Sequence, residues 1–257
     1  MSRAQVVERL RRAGCVFPEV EAEQLLRKAR ADVQLLEQLV CRREIGEPLA
    51  WITGTVSFCG LDVKVAPGVY VPRAHSEPLA RLAAALLPRR GRAIDLGTGS
   101  GAVAMVMLRA HPHAAVIGID RDPVAAACAR SNGVTVVEGD MFGPAPSGWR
   151  NGVDVITAVL PYVPSSEMAY LPHDVAEFEP RDALDGGPNG LRLVEGACTA
   201  APTWLRPGGH LLLELGGGQL GHLNPLLSTL GLNVVATLRD EDRDLRGLHA
   251  VLSPTNP

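Results

Sequence analysis

Seven consecutive residues, Asp95-Leu96-Gly97-Thr98-Gly99-Ser100-Gly101, follow a short apolar run and open an Ala/Val/Met-rich stretch with helical spacing. Glycines at a strand-to-helix turn let the backbone come close to a ligand, and the unpaired N–H groups of a helix start face a negative group. Such a loop can hold a nucleotide-type molecule. Asp120 closes the next apolar run about twenty residues on, where a carboxylate can accept both hydroxyls of a ribose. Gly-x-Gly-x-Gly with an acid at that distance suits two cofactors, a dinucleotide and S-adenosylmethionine (AdoMet). A dinucleotide loop carries its third glycine one residue later, for helix packing over a pyrophosphate. The order Gly97, Gly99, Gly101 behind Asp95 fits AdoMet better. Asp140 and Met141, after a third apolar run, offer an acid for the exocyclic amine of adenine and an apolar side chain for its ring. The candidate cofactor-binding residues are thus Gly97, Thr98, Gly99, Ser100, Gly101, Asp120, Asp140 and Met141.

Those loops must be held at the ends of strands. From about residue 79 onward, short apolar runs at 93–96, 115–119, 134–137, 153–159 and 210–215 alternate with helical stretches at 101–110, 122–131, 191–204 and 218–230. This alternation predicts an α/β fold with a mostly parallel sheet and helices on both faces, and 232–238 with 248–252 add two more strands. Upstream, Val6, Val7 and Leu10, then Val20, Leu25 and Leu26, then Leu35, Leu36, Leu39 and Val40 mark three short amphipathic helices. Gly46 and Pro48 end this small bundle; Trp51-Ile52, 56–58 and 61–65 around Cys59-Gly60 read as a β-hairpin. The expected division is a helical bundle at 1–46, a hairpin linker at 47–78 and the cofactor-binding domain at 79–257.

Composition narrows the function classes. The chain has 257 residues, 46% hydrophobic and 21% charged, with a net charge of −3, which argues against broad nucleic-acid binding. No apolar stretch reaches the roughly 18–20 residues of a membrane span, and the first residues lack the apolar core of a signal peptide, so a cytoplasmic protein is expected. Five scattered cysteines without a C-x-x-C pair suggest neither a disulfide framework nor a thiolate zinc site. His111 and His113 flank Pro112 with no third ligand nearby, so no metal is expected.

Several spaced segments together resemble the HemK/PrmC family of release-factor glutamine N5-methyltransferases. They are Gly46-Glu47-Pro48-Leu49-Ala50-Trp51-Ile52-Thr53-Gly54, Val71-Pro72-Arg73-Ala74-His75-Ser76-Glu77, the 95–101 loop, and Glu177-Phe178-Glu179-Pro180 with Ala183-Leu184, Gly186-Gly187 and Gly190-Leu191. Pro207-Gly208-Gly209, Glu214-Leu215-Gly216 and Gln219 complete the set. The resemblance implies a class I AdoMet-dependent methyltransferase fold, Rossmann-like, with a seven-stranded, mostly parallel sheet whose last strand is antiparallel. It also implies AdoMet as cofactor and a peptide chain release factor as partner, with a small-molecule acceptor as the alternative. In this family the bundle helps to grip the release factor; here a lid packed on the catalytic domain is an equal reading.

The family's Asn-Pro-Pro-Tyr, after the fourth strand, is replaced by Val159-Leu160-Pro161-Tyr162, the expected acceptor wall. An amide nitrogen is a poor nucleophile because its lone pair is delocalised; accepting both of its N–H bonds aims that pair at the methyl group. Val159 has no side-chain oxygen for this. The Leu160 carbonyl can take one N–H, and Tyr162 can pack against the acceptor. Glutamine methylation, transfer to a better nucleophile, and AdoMet binding without turnover are the three readings left open. His75 is a candidate base or a solvated loop histidine, and His173 and Asp174 lie where a segment could cover the acceptor pocket. Glu179-Pro180 reads as a fixture of the loop after the fourth strand, and 216–219 as a turn capping the next helix.

Overall fold

The computed structural model describes residues 1–254. Ser2 caps α1 (Arg3–Arg12) reciprocally: its hydroxyl accepts from the Gln5 N–H, and Gln5 Oε1 accepts from the Ser2 N–H at 2.7 Å. Pro18 starts α2 (Pro18–Ala29) where its missing N–H is harmless, and Asp32 caps α3 (Val33–Glu44) through the Leu35 N–H at 2.9 Å. Leu10, Leu25, Leu36, Leu39 and Val40 form the centre of this bundle. The stripe on α2 differs from expectation, because Val20 is 55% exposed while Glu21 turns inward. Arg43 on α3 makes that possible, its Nε donating to Glu21 Oε2 at 2.6 Å.

Trp51 and Ile52, expected in the hairpin, lie instead in a short helix, α4 (Leu49–Thr53). Gly54 ends it at φ 84°, and the buried Trp51 indole donates to the Val69 carbonyl at 2.9 Å. Burial of the ring with its N–H satisfied outweighs the strand propensity of an aromatic/β-branched pair. β1 (Thr55–Phe58) and β2 (Leu61–Lys64) do pair as a hairpin, and Cys59 and Gly60 at its turn both have positive φ. α5 (Glu77–Leu86) is an element the sequence reading lacks; it runs unbroken across the expected boundary at residue 78.

The remaining elements are β3 (Arg92–Leu96), α6 (Ala102–Ala110), β4 (Ala115–Asp120), α7 (Pro123–Ser131), β5 (Thr135–Glu138) and β6 (Val153–Ala158). They continue with α8 (His173–Phe178), α9 (Arg192–Trp204), β7 (Leu205–Glu214), α10 (Gln219–Thr229), β8 (Leu232–Arg239) and β9 (Leu245–Leu252). Among the described residues the main sheet has seven strands in the order β5-β4-β3-β6-β7-β9-β8, with β9 antiparallel to both neighbours. The pairings from β5 through β7 are all parallel. Ala93, Val116, Val155 and Leu212 are buried towards α5 and α6, and Ile94, Ile117, Ile156 and Leu211 towards α9 and α10. Burial on both faces is why these strands read as near-continuous apolar runs.

β3 is followed in sequence by β4 on one side of it, while β6 pairs on the other. Strand order therefore reverses between β3 and β6, which opens a crevice at the carboxyl ends of these two strands. Among the described residues no helix is long and apolar enough to cross a membrane.

Candidate active site

The loops after β3, β4, β5 and β6 meet at this crevice around a cavity of about 590 Å³, a size suited to a small ligand. Gly97, Thr98, Gly99, Ser100, Asp120, Asp140 and Met141 line one end, and Val159, Leu160, Pro161 and Tyr162 line the other. Gly97 makes the junction. Its φ is 62°, and a Cβ there would stand 2.9 Å from Leu160 Cδ2 and 3.4 Å from the Val159 carbonyl oxygen. Only a residue without a side chain lets the loops after β3 and β6 approach this closely.

At the glycine-rich end, backbone groups aim the acids. The Gly99 N–H donates to Asp120 Oδ2 at 2.9 Å, and the Asp122 N–H donates to Oδ1 at 3.0 Å. Burial pushes the Asp120 carboxyl up, and these two N–H groups oppose the rise. Asp95 is fully enclosed, accepting from the hydroxyls of Thr98 and Thr157 at 2.7 Å each. Desolvation pushes its carboxyl up to about 6 despite those two donors. The Ser100 hydroxyl is buried without a hydrogen-bond partner among the described residues. Met141 holds φ 48°, a left-handed conformation unusual for a residue with a long side chain.

Gly101 is placed differently from the other candidates. It stands back from the cavity, where a Cβ would meet Val134 Cγ2 at 2.8 Å and Ala129 Cβ at 3.1 Å. Its absent side chain lets the start of α6 pack on α7, so its contribution to the loop is indirect.

The other end is assembled from distant segments. Gln219 Nε2 donates to the carbonyls of Tyr162 at 2.8 Å and Asn189 at 3.2 Å, while its Oε1 accepts from the Gly216 N–H at 3.0 Å. The 216–219 turn thus opens α10 as expected and also pins the loop after β6. Buried Glu179 accepts from Arg73 and, at 3.2 Å, from the Val71 N–H, and the Arg73 guanidinium lies 5.1 Å from the Tyr70 ring centroid. Glu179 is therefore a fixture, but of the segment ahead of α5 and not, as expected, of the loop after the fourth strand. His75 Nε2 lies 3.2 Å from Glu214 Oε1 at the end of β7, and the Tyr162 hydroxyl lies 3.5 Å from the same nitrogen. Burial, with the nearby Glu214 charge, holds the Tyr162 and Tyr70 hydroxyls in their neutral form.

Of the pair His173 and Asp174, Asp174 lines the cavity. His173 packs against the end of the bundle, its Cδ2 3.0 Å from where a Gly46 Cβ would be. Val16, between α1 and α2, also lines the cavity. Sequence reasoning gives no role to Tyr70, Glu214 or the Gln219 side chain. Glu214 was visible within Glu-Leu-Gly at a strand end, but its partner is 139 residues away.

The glycine-rich end suits a cationic nucleoside. Asp95 and Asp120 supply negative charge, the unpaired Ser100 hydroxyl and the α6 N-terminus supply polar contacts, and Met141 supplies an apolar surface.

A family model described as "Methyltransferase small domain" matches residues 60–140. A release factor glutamine methyltransferase of Geobacter sulfurreducens is 38% identical over 208 residues, covering 79% of this chain and 72% of that relative. One from Moorella thermoacetica is 35% identical over 254 residues, covering 88% of each. In fold the chain is similar to a ribosomal protein L11 methylase from Lactobacillus delbrueckii subsp. bulgaricus, with a TM-score of 0.52 at 16% identity, covering 74% of this chain and 85% of that one. The seven-stranded sheet with its antiparallel β9 is that of a class I methyltransferase, and AdoMet is the cofactor. By identity and coverage, the chain belongs to the release factor glutamine methyltransferase family and is an AdoMet-dependent methyltransferase.

Proposed function

We propose that the chain transfers the methyl group of AdoMet to the side-chain nitrogen of a glutamine in a peptide chain release factor. The observation that carries this reading is a single cavity running from Asp120 and Asp140 to the Val159–Tyr162 wall, in a member of this family. AdoMet supplies an electrophilic methyl group on a sulfonium. Asp120 holds the ribose, Asp140 and Met141 meet the adenine, and Gly97, Thr98, Gly99 and Ser100 surround the methionine portion, with Gly101 shaping the loop from behind. The Leu160 carbonyl, which takes no backbone hydrogen bond among the described residues, receives one N–H of the acceptor, and Tyr162 packs against it.

We further propose that residues 1–46 serve as the partner-facing bundle, 47–78 as the linker and 79–257 as the catalytic domain. Val16, Phe17 and Val20 expose apolar surface where the bundle reaches the cavity, which suits an inserted protein loop better than a charged polymer. A release factor as acceptor implies a cytoplasmic enzyme.

One observation favours a second reading. Val159 has no acceptor for the second amide N–H, and an unpaired desolvated N–H costs about 1–3 kcal/mol. An amine, whose lone pair is already localised on nitrogen, does not depend on that acceptor to become nucleophilic. Incubation with labelled AdoMet and a release factor, a glutamine peptide and small amines separates the readings. Label on a release-factor glutamine is expected; label in amines alone supports the second reading, and AdoMet binding without any product overturns both.

A further inference from the structure

We infer that His75, held by Glu214, takes the proton that the methyl acceptor loses. This rests on the methyl-transfer reading above and defines the acceptor class as a nitrogen that carries an N–H.

Glu214 is 1% exposed, and its Oε2 has no hydrogen-bond partner among the described residues. A carboxylate enclosed with one oxygen unpaired is expensive unless a positive charge stands beside it. The neighbouring group able to become one is His75, with Nε2 3.2 Å from Glu214 Oε1. A carboxylate only accepts, so Nε2 carries the hydrogen of the neutral ring and Nδ1 keeps the lone pair. Nδ1 makes no hydrogen bond among the described residues and is not sealed from solvent.

The order of these groups supports the role. His75 lines the same cavity as Val159, Leu160, Pro161 and Tyr162, whereas Glu214 stands behind it. A base in front with an orienting carboxylate behind is the arrangement that activates weak nucleophiles in many enzymes. Tyr162, Tyr70, Arg73 in its pair with Glu179, and Arg246 are the other titratable or charged groups around this pair.

The step balances. The acceptor nitrogen forms a bond to the methyl carbon as the carbon–sulfur bond breaks, and that bond's electron pair stays on sulfur as a neutral thioether. The nitrogen becomes cationic and strongly acidic, and its proton passes to His75 Nδ1. The imidazolium then pairs with Glu214 until it returns the proton to water. Val159 offers this N–H nothing, so His75 stands in for the missing oxygen.

His75→Ala and the closer mimic His75→Gln are tested with full-length enzyme, labelled AdoMet, a release factor, a glutamine peptide and small amines. The methylation rate is expected to fall about 100-fold or more, the usual worth of a positioned base, while AdoMet affinity stays within about twofold of wild type. The acid limb of the wild-type pH–rate profile disappears in both variants. Nitrogen-15 histidine NMR is expected to find the Nε2–H tautomer in wild type and a mixture in Glu214→Gln, with kcat lowered and KM kept. Wild-type rates in both His75 variants, or an Nδ1–H tautomer in wild type, overturn the inference alone. No product from wild type with any acceptor overturns the methyl-transfer reading and this inference with it.

Discussion

The two ends of the cavity are wired over different distances along the chain. At the donor end, Thr98 binds Asp95 across 3 positions, Asp122 binds Asp120 across 2, and Gly99 binds Asp120 across 21. At the acceptor end, Gln219 reaches Tyr162 across 57 positions, Arg73 reaches Glu179 across 106, and His75 reaches Glu214 across 139. One donor-end bond is longer, Thr157 to Asp95 across 62 positions, but it joins neighbouring strands of the sheet. The donor end is thus set mostly by two strand–turn–helix units that fold into shape where their sheet forms. The acceptor end exists only when the whole domain closes. A change there, such as valine at position 159, bears on the acceptor wall and leaves the donor loops untouched.

The largest expected effect breaks the long-range end. Arg73→Ala leaves Glu179, 1% exposed in its side chain, without its cationic partner. Losing one member of a buried pair costs 3–5 kcal/mol, and because Arg73 is partly exposed the low end, about 3 kcal/mol, is expected. For a domain of this size that lowers the melting temperature by roughly 6–12 °C. Calorimetry of the ligand-free protein checks it, and an unchanged melting temperature removes Arg73 from the acceptor-end scaffold.

Gly97→Val is the matching insult to the donor end, and it also strikes where the two ends touch. A side chain at φ 62° costs about 1–2 kcal/mol, and overpacking against Leu160 adds about 1–3 kcal/mol. AdoMet affinity should fall by about 100-fold, read by titration calorimetry on protein shown to be folded. Wild-type affinity in this variant means that the loop after β3 does not carry the cofactor.

These distances also explain what could be read beforehand. The glycine loop, Asp120, Asp140 and Met141 are legible because each sits at the end of an apolar run, and the run itself marks the strand. The Trp51-Ile52 pair misleads because propensity is local, while the indole's partner, Val69, lies in the linker segment beyond the hairpin. Gly101 is legible as a glycine position, but its reason is helix packing against Ala129 and Val134, which no motif shows. Glu21 takes a core position that an apolar stripe cannot announce, because its warrant is Arg43 on the next helix. Glu214 and His75 are each visible as residues, yet their pairing depends on the order of strands in the sheet.

A smaller, constructive effect sharpens the contrast. Val159→Asn returns a side-chain oxygen to the acceptor wall while leaving the donor loops intact. Release-factor glutamine methylation should rise roughly 10- to 100-fold, short of the 100- to 1000-fold value of a fully missing transition-state hydrogen bond, because His75 already covers part of that task. The gain should be larger in a His75→Ala background, since the two groups serve the same N–H. Equal gains in both backgrounds mean that they act independently, and no gain means that the wall has been rebuilt for another acceptor.

The smallest effect lies at the donor end and turns on pH. Desolvation lifts Asp95 from its ordinary 3.8 to about 6 in the ligand-free protein. The native state therefore holds this proton more tightly than the unfolded chain, so stability without ligand falls as pH rises from about 4 to 6. AdoMet affinity moves the other way, because its cationic sulfonium favours the ionised carboxylate and binding tightens as Asp95 loses its proton. If the bound cation draws the Asp95 pKa back by about one unit, affinity gains about fivefold between pH 5 and 7. Titration calorimetry across that range, with denaturant melts beside it, should find the two trends opposed. Asp95→Asn, which keeps an acceptor for one threonine hydroxyl but carries no charge, should flatten both. Affinity that weakens with rising pH in wild type would place the positive charge of the ligand away from Asp95, and so away from the loop after β3.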